Sequence, residues 1–271
     1  SAISTAKEMG AKAYLTLNIF AFNNDIKLLE SCMDRIKDSN PDALIISDVG
    51  IMRMAQKYMP ETEIHVSTQA NILNYEAVRF WQDMGATRAI LARELPIKDV
   101  AEIKSKVPNM ELESFIHGAQ CVSFSGRCLI SNYLVGRDAN RGECAQPCRW
   151  GYSLSEKEKS VNKCYDGTTG SLGVEEDENG TYFLNSKDLC LAGHLEELIL
   201  AGVKSFKIEG RMRRAEYVSA AVKYYRCLLD NIGDKEQALS DLRRTYNRGN
   251  YTKGLAFGQD KRFLSTAIPW Q

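Results

Sequence analysis

Cysteines concentrated in one part of this 271-residue chain are its clearest chemical signal. Cys121, Cys128, Cys144, Cys148 and Cys190 all fall within one third of its length. Thiolates bind soft metals and iron–sulfur clusters, and four on one centre is the common number. Three explanations are open at this point: disulfides, a metal or iron–sulfur site, or a reactive nucleophile.

The spacing of the cysteines separates these explanations. Disulfides are the weakest, because the chain is long enough to bury a large core and its first residues predict a helix rather than a secretory signal. The gaps in Cys121-x6-Cys128 and Cys144-x3-Cys148 depart from the Cys-x-x-Cys knuckles of zinc ribbons. A single nucleophile paired with His117 would leave its cysteine neighbours unexplained. An iron–sulfur cluster therefore explains their number best, with zinc still open.

The charge balance excludes a global attraction to polyanions. The chain has 35 basic and 35 acidic residues and a formal net charge of zero. Basic residues nevertheless concentrate around the cysteines and within 203–226 and 241–253. Such runs fit a phosphate-rich partner, with solvated helix faces as the alternative. No apolar run reaches the length of a membrane-spanning helix, so we expect a cytoplasmic protein with no membrane association.

Apolar strand-like runs alternate with amphipathic helical stretches along most of the chain. The predicted strands are 13–17, 43–46, 63–66, 88–91, 112–116 and 205–208. The predicted helices are 26–37, 51–58, 75–85, 97–107, 194–201 and 215–230. Strands separated by such helices predict right-handed βαβ crossovers and a parallel sheet.

The number of strands favours an incomplete barrel. A TIM-type (β/α) barrel needs eight strands, six are predicted here, and the chain opens with a helix. We therefore predict an α/β fold of this type that lacks its first two strand–helix units, which an N-terminal segment or a partner subunit would supply. An open doubly wound sheet is the alternative, although no Gly-x-Gly-x-x-Gly motif follows any strand. The predicted regions are 1–150, an insertion at 151–182, and 183–271 with a C-terminal helical segment.

Residues that follow barrel strands line the catalytic mouth. Here they are Asn18, Ser47-Asp48, Ser67-Thr68-Gln69, Arg93-Glu94, His117-Gly118 and Glu209-Gly210-Arg211. The cysteine-rich loop leaves from the strand that ends at position 116, so it belongs to the same mouth. The candidate catalytic residues are His117, Arg127, Glu209 and Arg211. The candidate binding residues for carboxylate or phosphate are Lys187, Lys207 and Arg149, with internal ion pairing as the alternative role.

Long motifs give the chain a resemblance to a known family. These motifs are Glu113-x-Phe115-x-x-Gly118-Ala119-x-Cys121, Gly126-Arg127-Cys128-Leu-Ile-Ser131, Arg137-Asp138-x-Asn140-x-Gly142-x-Cys144, Cys148-Arg149-Trp150, Asn185-Ser-Lys-Asp188, Phe206-Lys-Ile-Glu-Gly-Arg211 and Asn247-Arg-Gly-x-Tyr-Thr-x-Gly254. Together they resemble the collagenase-like peptidase family U-32 over nearly the whole chain. The resemblance also implies preceding residues that hold the first barrel strands.

The resemblance implies two classes of function. Some members of the family are labelled collagenase-like peptidases. Others are oxygen-independent hydroxylation proteins that act on tRNA, ribosomal RNA or ubiquinone precursors. The hydroxylation proteins imply a 4Fe–4S cluster, open to loss during aerobic purification, on four cysteines. Three of these match Cys121, Cys128 and Cys144, and either Cys190 or Cys148 would supply the fourth.

We expect the hydroxylation class here, with tRNA as partner. The reaction implied is conversion of the wobble uridine to 5-hydroxyuridine with prephenate as the donor. A collagenase-like peptidase or hydrolase is the alternative. The chain has no His-Glu-x-x-His or Gly-x-Ser-x-Gly motif and only three histidines, which leaves few catalytic groups for proteolysis.

Overall fold

The fold combines one mostly parallel sheet with surrounding helices, as seen in a computed structural model that describes residues 2–152, 184–246 and 251–258. All six predicted strands are confirmed, and two short strands join them. The strands are β1 Tyr14–Leu17, β2 Ala43–Ile46, β3 Glu63–Val66, β4 Arg88–Ile90, β5 Glu111–Gly118, β6 Asp188–Cys190, β7 Val203–Ile208 and β8 Tyr251–Thr252. The predicted insertion at 151–182 lies, beyond its first two residues, outside the described part of the chain.

The helices include all six that the apolar periodicity predicted, whereas the short helix at 130–135 was not predicted. They are α1 Ala2–Glu8, α2 Asn23–Asp38, α3 Val49–Tyr58, α4 Tyr75–Asp83, α5 Ile97–Lys106, α6 Ile130–Val135, α7 Leu195–Leu200, α8 Ala215–Leu229 and α9 Lys235–Thr245. Side-chain caps fix several starts: Asp48 accepts from the Ile51 amide, Asn74 from Ala77 and Asp234 from Gln237. Each cap satisfies a backbone donor that the first helical turn leaves unpaired.

The sheet order brings the ends of six parallel strands to one edge. The order is β1-β2-β3-β4-β5-β7, with every neighbouring pair parallel. β6 adds antiparallel to the end of β5 through the pair His117 and Cys190, and β8 pairs parallel with β6. β2 is buried along its whole length, as expected for a strand covered on both faces.

The sheet is strongly curved. The Tyr14 hydroxyl of β1 lies 3.5 Å from the Arg88 guanidinium of β4, and the Tyr14 ring lies 4.8 Å from the ring of His65 on β3. Strands β1 and β4 are three ladder steps apart, which is roughly 14 Å in a flat sheet. These contacts indicate that the sheet curls around its concave face. Within the described residues β1 pairs only with β2 and β7 only with β5, so the closure of a barrel is not observed.

Candidate active site

A cavity of about 420 Å³ lies at the carboxyl edge of the curved sheet. Five strands contribute lining residues: Thr16, Ile45, Ile90 and Phe115 come from one strand each, and Lys207 and Ile208 come from β7. The cavity is thus a product of the sheet itself. The cavity lies at the carboxyl ends of the strands, where the polar residues that follow the strands predicted a site.

Four cysteines line this cavity: Cys121, Cys128, Cys144 and Cys148. All four lie in the irregular segment that follows β5, and all seven described cysteines of the chain are free thiols. The Ser123 amide donates to the sulfur of Cys121 at 3.4 Å, and the Gln146 amide donates to the sulfur of Cys144 at 3.3 Å. Backbone donors to sulfur are a feature of iron–sulfur sites, where they tune the reduction potential.

The loop that carries Cys144 is fastened to the start of the chain. The buried amide of Asn140 donates to the Gln69 side chain at 2.6 Å and accepts from the backbone amide of Phe20. Arg141 forms a two-pronged ion pair with Asp25 at the start of α2, with one contact at 2.8 Å. Hydrogen bonds from Arg141 and the Phe22 amide hold the pKa of Asp25 at about 2, so it is ionised at neutral pH.

Burial affects the cavity thiols unequally. It raises the pKa of the Cys148 thiol to about 11 and also raises that of Cys121, where the Ser123 amide opposes the shift. Charges on the neighbouring cysteines would raise both values further. Without a metal, Cys121 and Cys148 are therefore neutral thiols at neutral pH, and a metal would have to displace their protons.

Cys190 does not line the cavity. It lies on β6, where its sulfur is 3.7 Å from the Tyr225 hydroxyl of α8. The structure thus groups Cys148, the alternative fourth ligand, with the three other cysteines. β6 was not predicted as a strand, and its pairing with β5 turns Cys190 toward α8. The identity of the fourth ligand stays a prediction.

His117 does not reach the cavity. It is buried, and its Nδ1 lies 3.2 Å from the Tyr225 hydroxyl among the rings of Tyr217 and Tyr251. Burial lowers its pKa to about 4, so the ring is neutral at neutral pH. The reason is a register shift in the pairing of β5 with β7 between Phe115 and His117. Phe115 faces the cavity, but the irregularity directs the next alternate side chain toward α8.

The cationic and anionic groups of the cavity come mainly from the end of β7. Lys207 bonds Glu113 at 3.1 Å, and Glu209 pairs with Arg93 at 3.2 Å. Burial opposes ionisation of Glu113, yet Lys207 and the Ser205 hydroxyl hold its pKa below the usual range. Arg211 is exposed at the rim, and within the described part of the chain its guanidinium forms no ion pair. Lys207, Glu209 and Arg211 are therefore at the cavity, as predicted.

The other predicted residues lie around the cavity rather than in its lining. Arg127 donates twice to the Gln69 carbonyl, at 3.1 and 2.8 Å, and stacks over Phe20. Lys187 contributes its carbonyl to the Gln120 side chain. Arg149 is buried, and this burial lowers its pKa. Arg127 thus fastens the cysteine segment to the loop after β3, a packing role that sequence spacing does not reveal.

Arg93 was predicted to lie at the mouth, but it was not among the predicted catalytic or binding residues. Its guanidinium lies 3.8 Å from the centre of the Phe115 ring and lines the cavity beside Cys121. Its place directly after a strand was the available signal. Asn140 was likewise missed, because only the folded structure shows that it holds the loop of Cys144.

The residues present fit an iron–sulfur group by donor type and by the cavity that they share. Four soft thiol donors line one cavity, and two of their sulfurs accept backbone hydrogen bonds. As the structure stands, no three His, Cys, Asp or Glu side chains in its described residues form a site for a metal ion. The cysteine segment would therefore have to close around the group on binding. No helix in the described ranges is long and apolar enough to cross a membrane.

The fold and the site together define a class of protein: an α/β protein with a cysteine-lined cavity at the carboxyl edge of its sheet. Residues 1–265 match the sequence profile of peptidase family U32, and the chain belongs to this family. It is 38% identical over 260 residues to tRNA hydroxylation protein P of Escherichia coli (strain K12), covering 84% of this chain and 57% of that protein.

A relative with a different name is almost as similar. The chain is 34% identical over 270 residues to a collagenase of Porphyromonas gingivalis (strain ATCC BAA-308 / W83), covering 93% of this chain and 61% of that protein. A solved structure of a U32 peptidase covers 44% of this chain and 51% of its own, at 18% identity and a TM-score of 0.38. The chain spans about three-fifths of the length of these two curated relatives.

Proposed function

We propose that this chain forms the active-site portion of an iron–sulfur-dependent enzyme that hydroxylates the wobble uridine of tRNA in the cytoplasm. The observation that carries the proposal is the grouping of four cysteines around one cavity at the carboxyl edge of the sheet. The similarity to a tRNA hydroxylation protein over most of the chain supports the choice of substrate.

The cluster would be held by Cys121, Cys128 and Cys144 with a fourth cysteine. The cavity favours Cys148 for that place over Cys190, because Cys148 lines it. When bound, a 4Fe–4S cluster supplies electron transfer at the site where the substrates meet. The backbone amides of Ser123 and Gln146 would stabilise the negative charge of two ligand sulfurs.

The other cavity residues bind and orient the substrates. Arg211 at the rim is placed to hold a phosphate of the RNA, since its guanidinium forms no ion pair in the described ranges. Lys207 bonds Glu113, whose pKa is held below its usual range, and this contact positions the ammonium group of Lys207 at the cavity. The net reaction replaces the C5–H bond of uridine with C5–OH. A hydroxyl donor, for which we propose prephenate, accepts the hydrogen and the two electrons in exchange for its hydroxyl group.

We also propose that the sheet is part of a TIM-type barrel. The curvature that joins Tyr14 to Arg88 supports this, as do the edges of β1 and β7, each of which pairs on one side only among the described residues. Two further strands, from elsewhere in the protein or from a partner subunit, would fill the arc between these edges.

A collagenase-like peptidase is the second candidate, because a collagenase is 34% identical to this chain. The geometry supports it less well. His65 and His117 are buried and burial lowers the pKa of each, while His194 pairs with Glu197 at 2.7 Å. None of the three lines the cavity. A cysteine nucleophile there would have no histidine to take its proton.

The direct test is the nucleoside content of tRNA. Deleting the gene should remove 5-hydroxyuridine derivatives, as measured by mass spectrometry of hydrolysed tRNA. The full-length wild-type gene should restore them, whereas Cys121→Ala should not. Cys32→Ala, which changes a free cysteine outside the cysteine-lined cavity, is the matched control and should restore them fully. Unchanged nucleosides together with gelatin cleavage by the pure protein would support the peptidase instead.

A further inference from the structure

A second cavity of about 400 Å³ lies beside the first. Arg93, Cys121, Val122 and Ser125 line both cavities and therefore form a shared wall. The rest of the second cavity is mainly apolar, with side chains from Leu73, Pro96, Phe124 and Leu255. Its volume and composition are those of a site for a small organic molecule.

Arg93 supplies the charge of the shared wall. Its side chain is fixed by stacking on Phe115 at 3.8 Å and by one contact of 3.2 Å with Glu209. A guanidinium carries five N–H donors, and that contact, made by one terminal nitrogen, is its single carboxylate partner among the described residues. Arg93 is thus held rigidly with donors to spare, which is the arrangement that recognises a carboxylate by a paired hydrogen bond.

The acidic neighbour of Arg93 does not pair with the guanidinium. Glu94 also lines the second cavity, but both of its oxygens already accept hydrogen bonds. One comes from the amide of Ser125 and the other from its hydroxyl, each at 2.7 Å. The Glu94 carboxylate is therefore committed to the wall itself. An anionic ligand would meet Arg93 as the cavity's available charged group.

We propose that the second cavity binds the small-molecule oxygen donor, a carboxylate with a largely apolar body, while the first cavity takes the uridine. This inference rests on the proposed function and specifies where its two substrates bind. Both substrates must reach the cluster, and Cys121 is the predicted cluster ligand that borders both cavities. Arg211 lines the first cavity and not the second, so the first is the one equipped for an RNA phosphate.

Steady-state kinetics on the full-length, reconstituted enzyme would test this with prephenate as the donor. Arg93→Gln removes the guanidinium that would bind the carboxylate, and Leu73→Trp fills the second cavity without changing a charged residue. We expect Arg93→Gln to raise the KM for prephenate about tenfold or more, as the loss of one charge-assisted contact does. Leu73→Trp should raise it by a similar factor, because the larger side chain excludes the ligand. In Leu73→Trp, which changes a residue of the second cavity alone, the KM for tRNA should stay within about twofold. Leu129→Trp, at an exposed position outside both cavities, should change neither value.

The outcomes separate this inference from the proposed function. An unchanged KM for prephenate in both variants, or a raised KM for tRNA alone, would overturn the assignment of the second cavity. If the wild-type enzyme hydroxylates no tRNA, the proposed function fails, and calorimetric titration of prephenate still decides the inference. Binding by wild type that both variants weaken would support it, and no binding by wild type would overturn it.

Discussion

At the scale of single residues, the site depends on which sulfurs face the cavity. Cys148 does so with Cys121, Cys128 and Cys144, whereas Cys190 faces Tyr225. A cluster ligand contributes a bond that serine replaces poorly, because a hydroxyl is a much harder donor than a thiolate. Cys148 and Cys190 therefore form a matched pair of positions for testing which cysteine is the fourth ligand.

We predict that Cys148→Ser removes most of the iron from anaerobically reconstituted protein, from about four atoms per chain to fewer than about two. Cys190→Ser should retain the iron of the wild type. Iron analysis and the visible absorption spectrum give the measurement, and circular dichroism checks that both variants fold. The opposite pattern, with iron lost only from Cys190→Ser, would make Cys190 the ligand.

A second prediction at this scale concerns His65 and the pH dependence of the free energy of unfolding. Burial lowers its pKa from 6.5, and Arg88 adds to the shift while Glu63 and Glu113 oppose it. Below about pH 6.5 the unfolded chain binds a proton at this site more readily than the folded chain, so acid lowers the free energy of unfolding. Above that pH the ring is neutral in both states and contributes no pH dependence.

We therefore expect the stability advantage of wild type over His65→Gln to shrink as the pH falls from about 7.5 to 5. Urea unfolding at several pH values measures it, and a parallel series on Cys32→Ala should show a constant difference. A difference between wild type and His65→Gln that does not change with pH would show that the buried imidazole is not the cause.

At the scale of elements, the close approach of β5 and β7 depends on a glycine. Gly118 has φ +103°, and a Cβ there would lie 2.5 Å from the backbone carbonyl oxygen of Glu209. Gly136, at the end of α6, also has a positive φ, but a Cβ would meet nothing within 4 Å. A side chain would strain the backbone at both positions, and at Gly118 it would also clash with Glu209.

We predict that Gly136→Ala lowers the free energy of unfolding by about 1 kcal/mol. Gly118→Ala should lower it by roughly 3 kcal/mol or more, because backbone atoms cannot move aside as a flexible side chain can. Chemical denaturation of both variants measures the difference. Equal losses would mean that β5 and β7 are not packed as closely as the structure shows.

The elements were largely predictable from the sequence, and their irregularities were not. Six strands followed from local apolar runs, but β6 and β8, with three and two residues, are defined by their pairing partners. The placement of His117 failed for a related reason, since a single register shift in β5 reverses the face of a side chain. The concentration of cysteines in one segment pointed to the cavity, but it did not distinguish Cys148, which lines the cavity, from Cys190, which does not. Arg93 and Asn140 gain their roles only through contacts across the sheet.

At the scale of the whole molecule, the curved sheet explains how a chain with no net charge could bind the anionic substrate that we propose. The strand ends gather Arg93, Lys207 and Arg211 at one cavity, while the carboxylates of Glu113 and Glu209 are each held by a cation. Local geometry thus produces a cationic site that the overall composition conceals. The same curvature brings the cysteine segment over the cavity mouth.

The metal content of the full-length protein, purified without oxygen, tests the central claim most directly. We expect about four iron and four acid-labile sulfide per chain, with a broad visible absorption that bleaches on reduction. Cys121→Ala should lose both the iron and the absorption. Stoichiometric zinc without sulfide, or full tRNA hydroxylation by protein that contains no iron, would contradict an iron–sulfur site in this cavity.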